Sequence, residues 1–339
     1  MEPSSLVHPV GIDVSKNTLD VAIATTSRPV TSRFANHRHE FPVLLEWLHT
    51  RASGPLHVCL EATSTYHDEL VAFLLSHDIR LSVLPSARLK PFRESEGIRS
   101  KTDKLDAILL ARYCQQKHPA AFVPVPEELA HMRVLLSRLS ELADLRQQEG
   151  NRLENGRLDA TIRAQITDHL RLLKTWHTQM LKQIRAWIKT HPELQQAVKL
   201  LQTIPGIGER SSWQLVAILG ADASRFASAH QLVVYVGLDV AKKDSGKQIK
   251  AGHITKQGSS QVRACLGMGA LVSKRWDPDM KQWASELTGR GKKSRQVRVA
   301  IMRKLLHIAY GVLKHQKPYD PSHAWPTHAQ GAKEEKQAA

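Results

Sequence analysis

The chain has 339 residues, enough for two domains that each bury a core. Its formal net charge of +16 points to a polyanionic partner, and nucleic acid is the first candidate. The sequence contains no apolar run of the ~18 residues needed for a membrane span. It begins without the charged and apolar regions of a signal peptide, and only 5% of its residues are aromatic, so a membrane role is disfavoured. Three scattered cysteines fit a reducing cytosol.

The first part of the chain predicts an α/β fold. Short apolar strands at Val10–Ile12 and Leu19–Ile23 flank a polar turn and form a hairpin, and Thr31–Asn36 adds a third strand. Helices and strands then alternate, with predicted helices at 40–50, 65–76, 87–95 and 103–116 and predicted strands at 56–60 and 81–84. This order predicts a sheet of mixed direction that is antiparallel at one end.

The rest of the chain predicts helices. Pro119–Pro126 forms a boundary, and two long stretches beyond it carry apolar residues at 3,4 spacing. They form either a hairpin within one subunit or an intermolecular coiled coil, and the pattern does not distinguish the two. The resulting domains are an α/β domain at 1–125, a coiled-coil or helical linker at 126–198, a mainly α domain at 199–320 and a disordered tail at 321–339.

Four carboxylates in the first domain form a candidate metal site. Asp13 ends the first strand, Glu61 ends the fourth, and Asp103 and Asp106 share one face at the start of a helix. If the first and fourth strands are neighbours, all four acids meet at one end of the sheet. Such a cluster needs divalent cations, and Mg²⁺ or Mn²⁺ suits oxygen ligands. Taken singly, Asp13 reads as a turn residue, Asp103 as a helix-dipole acid and Glu61 as a helix cap.

A glycine-rich turn suggests a phosphate contact. Pro205-Gly206-Ile207-Gly208 lies between two predicted helices and resembles a helix-hairpin-helix, which grips the DNA backbone. Gly206 and Gly208 would permit close approach to a phosphate, while a plain tight turn between helices is the simpler interpretation.

A basic stretch surrounds a serine in the third domain. Residues 241–304 hold 16 lysines and arginines and 4 acids. Ser245 lies here as a possible nucleophile, although its residue chemistry alone favours a solvated basic hairpin loop. The predicted nucleic-acid contacts are Lys242, Lys243, Lys247, Lys250, Lys256, Arg263 and Arg303.

Several stretches together resemble one family. They are GIDVSK, EATSTY, SEGIRSKTDKLDA, LLQTIPGIGERSS, VGLDVAKKDSGKQIKAGHITKQG and RKLLHIAYGVLKHQKPYD, in this order. The set resembles the transposases of insertion-sequence family 110, with its 1111 subgroup, over roughly residues 8–320.

The resemblance implies a specific mechanism. It implies an N-terminal domain of ribonuclease H fold, like a Holliday-junction resolvase, whose metal site matches Asp13, Glu61, Asp103 and Asp106. It implies a C-terminal domain with a serine nucleophile at Ser245, although Ser259 and Ser260 lie close by. It also implies a structured guide RNA that pairs with donor and target DNA, and a dimer or tetramer acting in the bacterial cytoplasm at the nucleoid.

Two other functions are open from the sequence. One is a Holliday-junction-type, metal-dependent nuclease without a covalent intermediate, which explains the acids but leaves Ser245 without a role. The other is a non-catalytic nucleic-acid scaffold, which explains the charge but not four aligned acids. Metal-dependent cleavage separates the scaffold from both enzymes, and a covalent protein–DNA species separates the recombinase from the nuclease.

Overall fold

A computed structural model of the chain divides it into two compact units, residues 1–124 and 125–339. It describes residues 7–25, 28–62, 65–97, 102–154, 156–241, 244–245, 248–249 and 253–325. The sequence prediction of a mixed sheet followed by a mainly helical part is confirmed. Among the described residues, no helix combines the length and the apolar character that crossing a bilayer requires.

The first unit is built on a five-stranded sheet of order β3-β2-β1-β4-β5. The strands are His8–Val14 (β1), Thr18–Ile23 (β2), Val30–Ala35 (β3), Leu56–Glu61 (β4) and Arg80–Leu84 (β5). The pairs β1–β2 and β2–β3 are antiparallel, whereas β1–β4 and β4–β5 are parallel. The side chain of Ser15 contacts Thr18 and closes the first hairpin, as its polar turn predicts.

Four helices accompany this sheet within the described residues. They are Phe41–Arg51 (α1), Asp68–Ser76 (α2), Ser86–Ser95 (α3) and Asp103–Lys117 (α4). Successive strand residues point to opposite faces. Ile12 and Leu60 pack with Leu44 of α1 and Leu74 of α2 in the larger core. On the other face, Gly11 meets α4 directly because a side-chain carbon on Gly11 would collide with the backbone of the helix at Ala107 and Ala111.

The regular structure in the described residues of the second unit is helical apart from two short two-stranded sheets. Its helices are Glu127–Leu153 (α5), Ala160–Lys189 (α6), Pro192–Leu201 (α7), Glu209–Leu219 (α8), Ala229–Val236 (α9), Ser260–Trp276 (α10), Pro278–Gly289 (α11), Ser294–His315 (α12) and Pro321–Ala324 (α13). Its strands are Val240–Ala241 (β6), Asp244–Ser245 (β7), Gln248–Ile249 (β8) and His253–Ile254 (β9). The two long helices α5 and α6 pack against each other as a helical hairpin.

One core joins the helical hairpin to the helices that follow it. Leu136 of α5 and Ile184 of α6 belong to the same buried cluster as Trp213 of α8 and Leu305 of α12. The described parts of residues 126–198 and 199–320, expected as two domains, therefore share apolar packing. An intermolecular coiled coil through the outer face of the hairpin stays a prediction.

The predicted disordered tail is corrected at its start. Residues 321–324 form helix α13, and Trp325 is 6% exposed, with the ammonium of Lys304 lying 4.2 Å from the centre of its ring. Aromatic burial and this cation–π contact order the segment. The remainder of the predicted tail, residues 326–339, lies outside the described residues.

Candidate metal centre and nucleic-acid interface

Asp13 and Glu61 lie side by side at the end of two parallel strands. The register of β1 and β4 pairs Gly11 with Cys59 and Ile12 with Leu60, which brings Asp13 and Glu61 to adjacent positions. Because residues two apart share a face, both acids lie on the face that Gly11 presents to α4. The sheet thus supplies half of the predicted carboxylate cluster.

Helix α4 supplies the other half. The hydroxyl of Thr102 accepts a hydrogen bond from the backbone N–H of Leu105 at 3.3 Å and caps the helix start. Asp103 and Asp106 occupy the first helical turn that follows. The close contact at Gly11 lays α4 across β1, so this first turn reaches the strand end that carries Asp13.

The neighbouring acids change the protonation of Asp13. Burial and the negative charges of Asp106, Asp103, Glu61 and Asp20 raise the pKa of Asp13 to about 6. Asp106 and Asp103 make the largest charge contributions, so both acids of α4 are neighbours of Asp13. The structure therefore brings together the four carboxylates that the sequence singled out, on one face and at one end of the sheet.

Two arginines partly offset the negative charge. Arg33 on β3 holds Asp20 through hydrogen bonds of 3.0 to 3.1 Å and lies 3.9 Å from a carboxylate oxygen of Asp103. Arg93 on α3 lies 2.6 Å from a carboxylate oxygen of Asp106, which is 6% exposed. With five acids and two arginines here, the cluster keeps a negative excess that a divalent cation can neutralise.

Sequence reasoning missed Asp20, Arg33 and Arg93. The positions of Asp20 and Arg33 could have been predicted. Counting outward from the turn at Ser15–Asn17 pairs Asp13 with Asp20 in the predicted hairpin. The next strand pairs Asp20 with Arg33 in the same way. Arg93 carried no such signal, since its position depends on how α3 packs beside α4.

Ser245 lies in the second unit, in the predicted basic hairpin. The β6–β9 ladder leads into the β7–β8 ladder, where Ser245 pairs with Gln248. At Gly237, where φ is +73°, a side-chain carbon would meet the backbone of Gln257, so the base of the hairpin is closely packed. The predicted contacts Lys242, Lys243, Lys247 and Lys250 lie outside the described residues.

The glycine-rich turn has a packing role. Gly206 has φ of +92°, and a side-chain carbon there would collide with the backbone of Gly269 and with Ser273 on α10. The hydroxyl of Ser273 also donates a hydrogen bond to the carbonyl of Pro205. Packing against α10 thus explains why a glycine is needed at 206.

The second glycine of this turn stands in open space. Gly208 precedes α8, whose first residue Glu209 forms two hydrogen bonds of 2.8 Å with Arg185. This carboxylate adds negative charge at the helix start that was proposed to receive phosphate. The nucleic-acid role of Gly206 and Gly208 stays a prediction.

The remaining predicted contacts differ in their surroundings. Arg263 donates hydrogen bonds of 2.9 Å to the carbonyls of Val236 and Gly258, so it holds the chain together at that point. Lys256 is exposed and Arg303 is half-buried. Ser259, one of the neighbouring serines, caps α10 by accepting a hydrogen bond from the backbone N–H of Val262.

Exposed cations lie at the start of α12. The sequence analysis included them in the basic stretch 241–304 but did not single them out. Lys292, Arg295 and Arg298 are all exposed there. All three positions lie within about two turns of the N-terminus of a 22-residue helix, an arrangement suited to phosphate groups.

Comparison with known proteins gives consistent similarities along the chain. A family model for DEDD transposases of the IS110 group matches residues 10–162, and the model described as "Transposase IS116/IS110/IS902 family" matches residues 198–284. The chain is 33% identical to the "Pilin gene-inverting protein" of Moraxella lacunata over 315 residues, covering 92% of this chain and 97% of that protein. The protein of the same name from Moraxella bovis is equally similar. A "Putative transposase y4qE" of Sinorhizobium fredii is 29% identical over 76% of this chain and 69% of its own length.

Proposed function

The chain belongs to the IS110 family of transposases, and we propose that it cuts and rejoins DNA using Asp13, Glu61, Asp103 and Asp106 together with Ser245. The observation that carries the proposal is the convergence of the four carboxylates at one end of the sheet, where burial and the neighbouring negative charges raise the pKa of Asp13 to about 6. The sheet order and mixed strand directions support a ribonuclease H-like assignment for the first unit.

The donor set of the carboxylate cluster fits a divalent cation. Its ligand atoms are all carboxylate oxygens, the preferred partners of Mg²⁺ and Mn²⁺, and the negative excess needs a counter-charge. Asp13, Glu61, Asp103 and Asp106 would hold the metal, which supplies charge stabilisation at the phosphate oxygens when bound. Asp20 is already engaged by Arg33 and would support Asp13 from outside the ligand set.

Ser245 would supply the covalent step. Its hydroxyl oxygen replaces a sugar oxygen at the scissile phosphorus, so the phosphodiester becomes a phosphoserine linkage and a sugar hydroxyl is released. The hydroxyl of the partner strand then replaces the serine oxygen. One bond to phosphorus forms for each one broken, so rejoining needs no high-energy cofactor.

The similarity to pilin gene-inverting proteins favours a recombinase over a nuclease. Inverting a segment requires that every cut strand be rejoined, which a hydrolytic nuclease does not do. The match covers 92% of this chain, and therefore parts of both of its units, together with 97% of the Moraxella lacunata protein.

The basic second unit would bind the nucleic acids. We assign DNA at the element ends and target, together with a structured guide RNA, as its partners in the bacterial cytoplasm at the nucleoid. A dimer or tetramer would hold two DNA segments at once, with the outer face of the α5–α6 hairpin as the candidate contact. Exposed apolar residues on that face, Leu172 and Trp176, are one helical turn apart.

A trapping assay tests the proposal. Protein, Mg²⁺, junction DNA and the RNA flanking the element are mixed, denatured and examined for a protein–DNA adduct. We expect an adduct that disappears in Ser245→Ala and persists in the matched control Ser259→Ala, which removes a helix cap instead. Cleavage without an adduct in any of the three proteins would favour the junction nuclease, and binding without cleavage would favour the scaffold.

A further inference from the structure

A second cluster of metal-ligand residues lies under α4, apart from the acids. His57 and Cys59 share one face of β4, Ser82 stands beside Cys59 on β5, and Cys114 projects from α4. All four side chains are at least 97% buried. One ring nitrogen of His57 and the sulfurs of Cys59 and Cys114 lie within 4.8 Å of one another.

The hydrogen bonds around His57 determine its tautomer. The hydroxyl of Ser82 donates to the carbonyl of Ala120 at 2.8 Å, which uses its only hydrogen. The 2.8 Å contact between Ser82 Oγ and His57 Nε2 is therefore donated by the histidine. Nε2 carries the proton, and Nδ1 keeps its lone pair. A ring oriented by a hydrogen bond through its other nitrogen is typical of metal-ligating histidines.

The two thiols lie close to each other and to the imidazole of His57. The Cys114 thiol donates to the backbone carbonyl of His57 at 3.2 Å. Two thiols and one imidazole therefore meet at a single point between β4 and α4.

We propose that His57, Cys59 and Cys114 bind a thiophilic divalent metal ion, with Zn²⁺ as the first candidate, that fastens α4 to β4. Binding releases the two thiol protons and forms two metal–sulfur bonds and one metal–nitrogen bond. Two sulfurs and one nitrogen suit Zn²⁺ rather than Mg²⁺, so this site and the carboxylates select different ions. One position of a tetrahedral ion stays open for a further ligand.

The position of the cluster gives the ion a positioning role. Cys59 precedes Glu61 by two residues on β4, and Cys114 follows Asp106 by two helical turns on α4. An ion joining the two sulfurs would restrain the helix and the strand that carry three of the four acids. It would fix their spacing without touching the phosphate.

Cobalt substitution tests the proposal on the full chain. Reduced, chelator-treated protein is titrated with Co²⁺, whose bonds to thiolates give a near-ultraviolet charge-transfer band that oxygen ligands do not give. We expect the band to saturate at one equivalent, to be displaced by Zn²⁺, and to be lost in Cys59→Ser and Cys114→Ser. Cys265→Ser is the matched control, since this half-buried thiol lies in the second unit, and it should keep the band.

A measurement on the unsubstituted protein covers the case in which a cysteine variant fails to fold. X-ray absorption at the zinc edge, with one equivalent of Zn²⁺, should report two sulfur neighbours. A shell of oxygen and nitrogen alone, or no cobalt–thiolate band, would overturn the proposal. A Cys59–Cys114 disulfide found by peptide mapping of protein purified without reductant and then exposed to Zn²⁺ would also overturn it.

Discussion

Asp13 and Asp20 face each other across the first hairpin, and they differ in what neutralises them. Asp20 is 5% exposed and bound by Arg33, whereas the largest influences on Asp13 are burial and four negative charges. Asp13 and Asp20 therefore have different roles, although they are paired across the same two strands. Asp20 anchors the third strand through an ion pair, and Asp13 stores repulsion that a metal ion would relieve.

Removing the charge of Asp13 is expected to stabilise the metal-free protein. Asp13→Asn keeps the shape of the side chain and removes the repulsion, which is worth on the order of 1 kcal/mol at neutral pH once solvent screening is allowed for. The variant should also lose the stabilisation that Mg²⁺ or Mn²⁺ gives, together with DNA cleavage. Thermal unfolding with chelator and with metal measures both effects.

Asp20→Asn is the matched control for that experiment. It breaks the ion pair between the buried carboxylate of Asp20 and the exposed guanidinium of Arg33, and it should lower the free energy of unfolding with or without metal. If Asp13→Asn and Asp20→Asn destabilised the protein equally, Asp13 would not be a source of electrostatic repulsion in the metal-free protein.

Metal affinity should depend on pH through Asp13. Its pKa of about 6 means that a proton competes with the metal below that pH. The apparent affinity should therefore fall by up to about tenfold per pH unit below 6 and level off above it. Calorimetric titration with Mn²⁺ across this range measures the effect, and a profile that is flat down to about pH 4.5 would count against it.

The metal-free protein should show the opposite trend in stability. Between the ordinary aspartate pKa of 3.8 and about 6, the folded state binds more protons at Asp13 than the unfolded state does. The contribution of this group to unfolding free energy therefore falls as pH rises through that window. Comparing the unfolding of the original protein with that of Asp13→Asn, in chelator, isolates this contribution.

The carboxylate cluster could be predicted because strand order and periodicity decide it. Apolar strands ending in Asp13 and Glu61 determined which residues share an edge, and the capped start at Thr102 placed Asp103 and Asp106 on one face. The His57–Cys59–Cys114 cluster was not predicted, because Cys114 joins β4 only through the packing of α4 across the sheet. The packing role of Gly206 could not be predicted, because a sequence pattern does not show that α10 closes on that turn.

Replacing Gly206 tests the packing role of its turn. In Gly206→Ala the new carbon would meet the α10 backbone at a position where φ is already +92°, so stability should fall by about 2 to 4 kcal/mol. Gly208→Ala meets open space and should cost less than about 1 kcal/mol. Urea unfolding measures both. Two stable variants that both bind DNA weakly would restore the phosphate interpretation.

The exposed cations at the start of α12 should dominate the salt dependence of nucleic-acid binding in the described part of the second unit. Each lysine or arginine that neutralises a DNA phosphate adds about 0.9 to the slope of log affinity against log salt. Replacing Lys292, Arg295 and Arg298 by glutamine should therefore reduce the slope by about 2 to 3 and leave unfolding nearly unchanged.

Arg263→Gln removes two hydrogen bonds to backbone carbonyls and should destabilise the fold by about 1 to 2 kcal/mol. Because Arg263 is committed to those carbonyls, the folded fraction of this variant should keep the original salt slope. A reduced slope in Arg263→Gln, with no change in the triple variant, would move the phosphate contact from α12 to the start of α10.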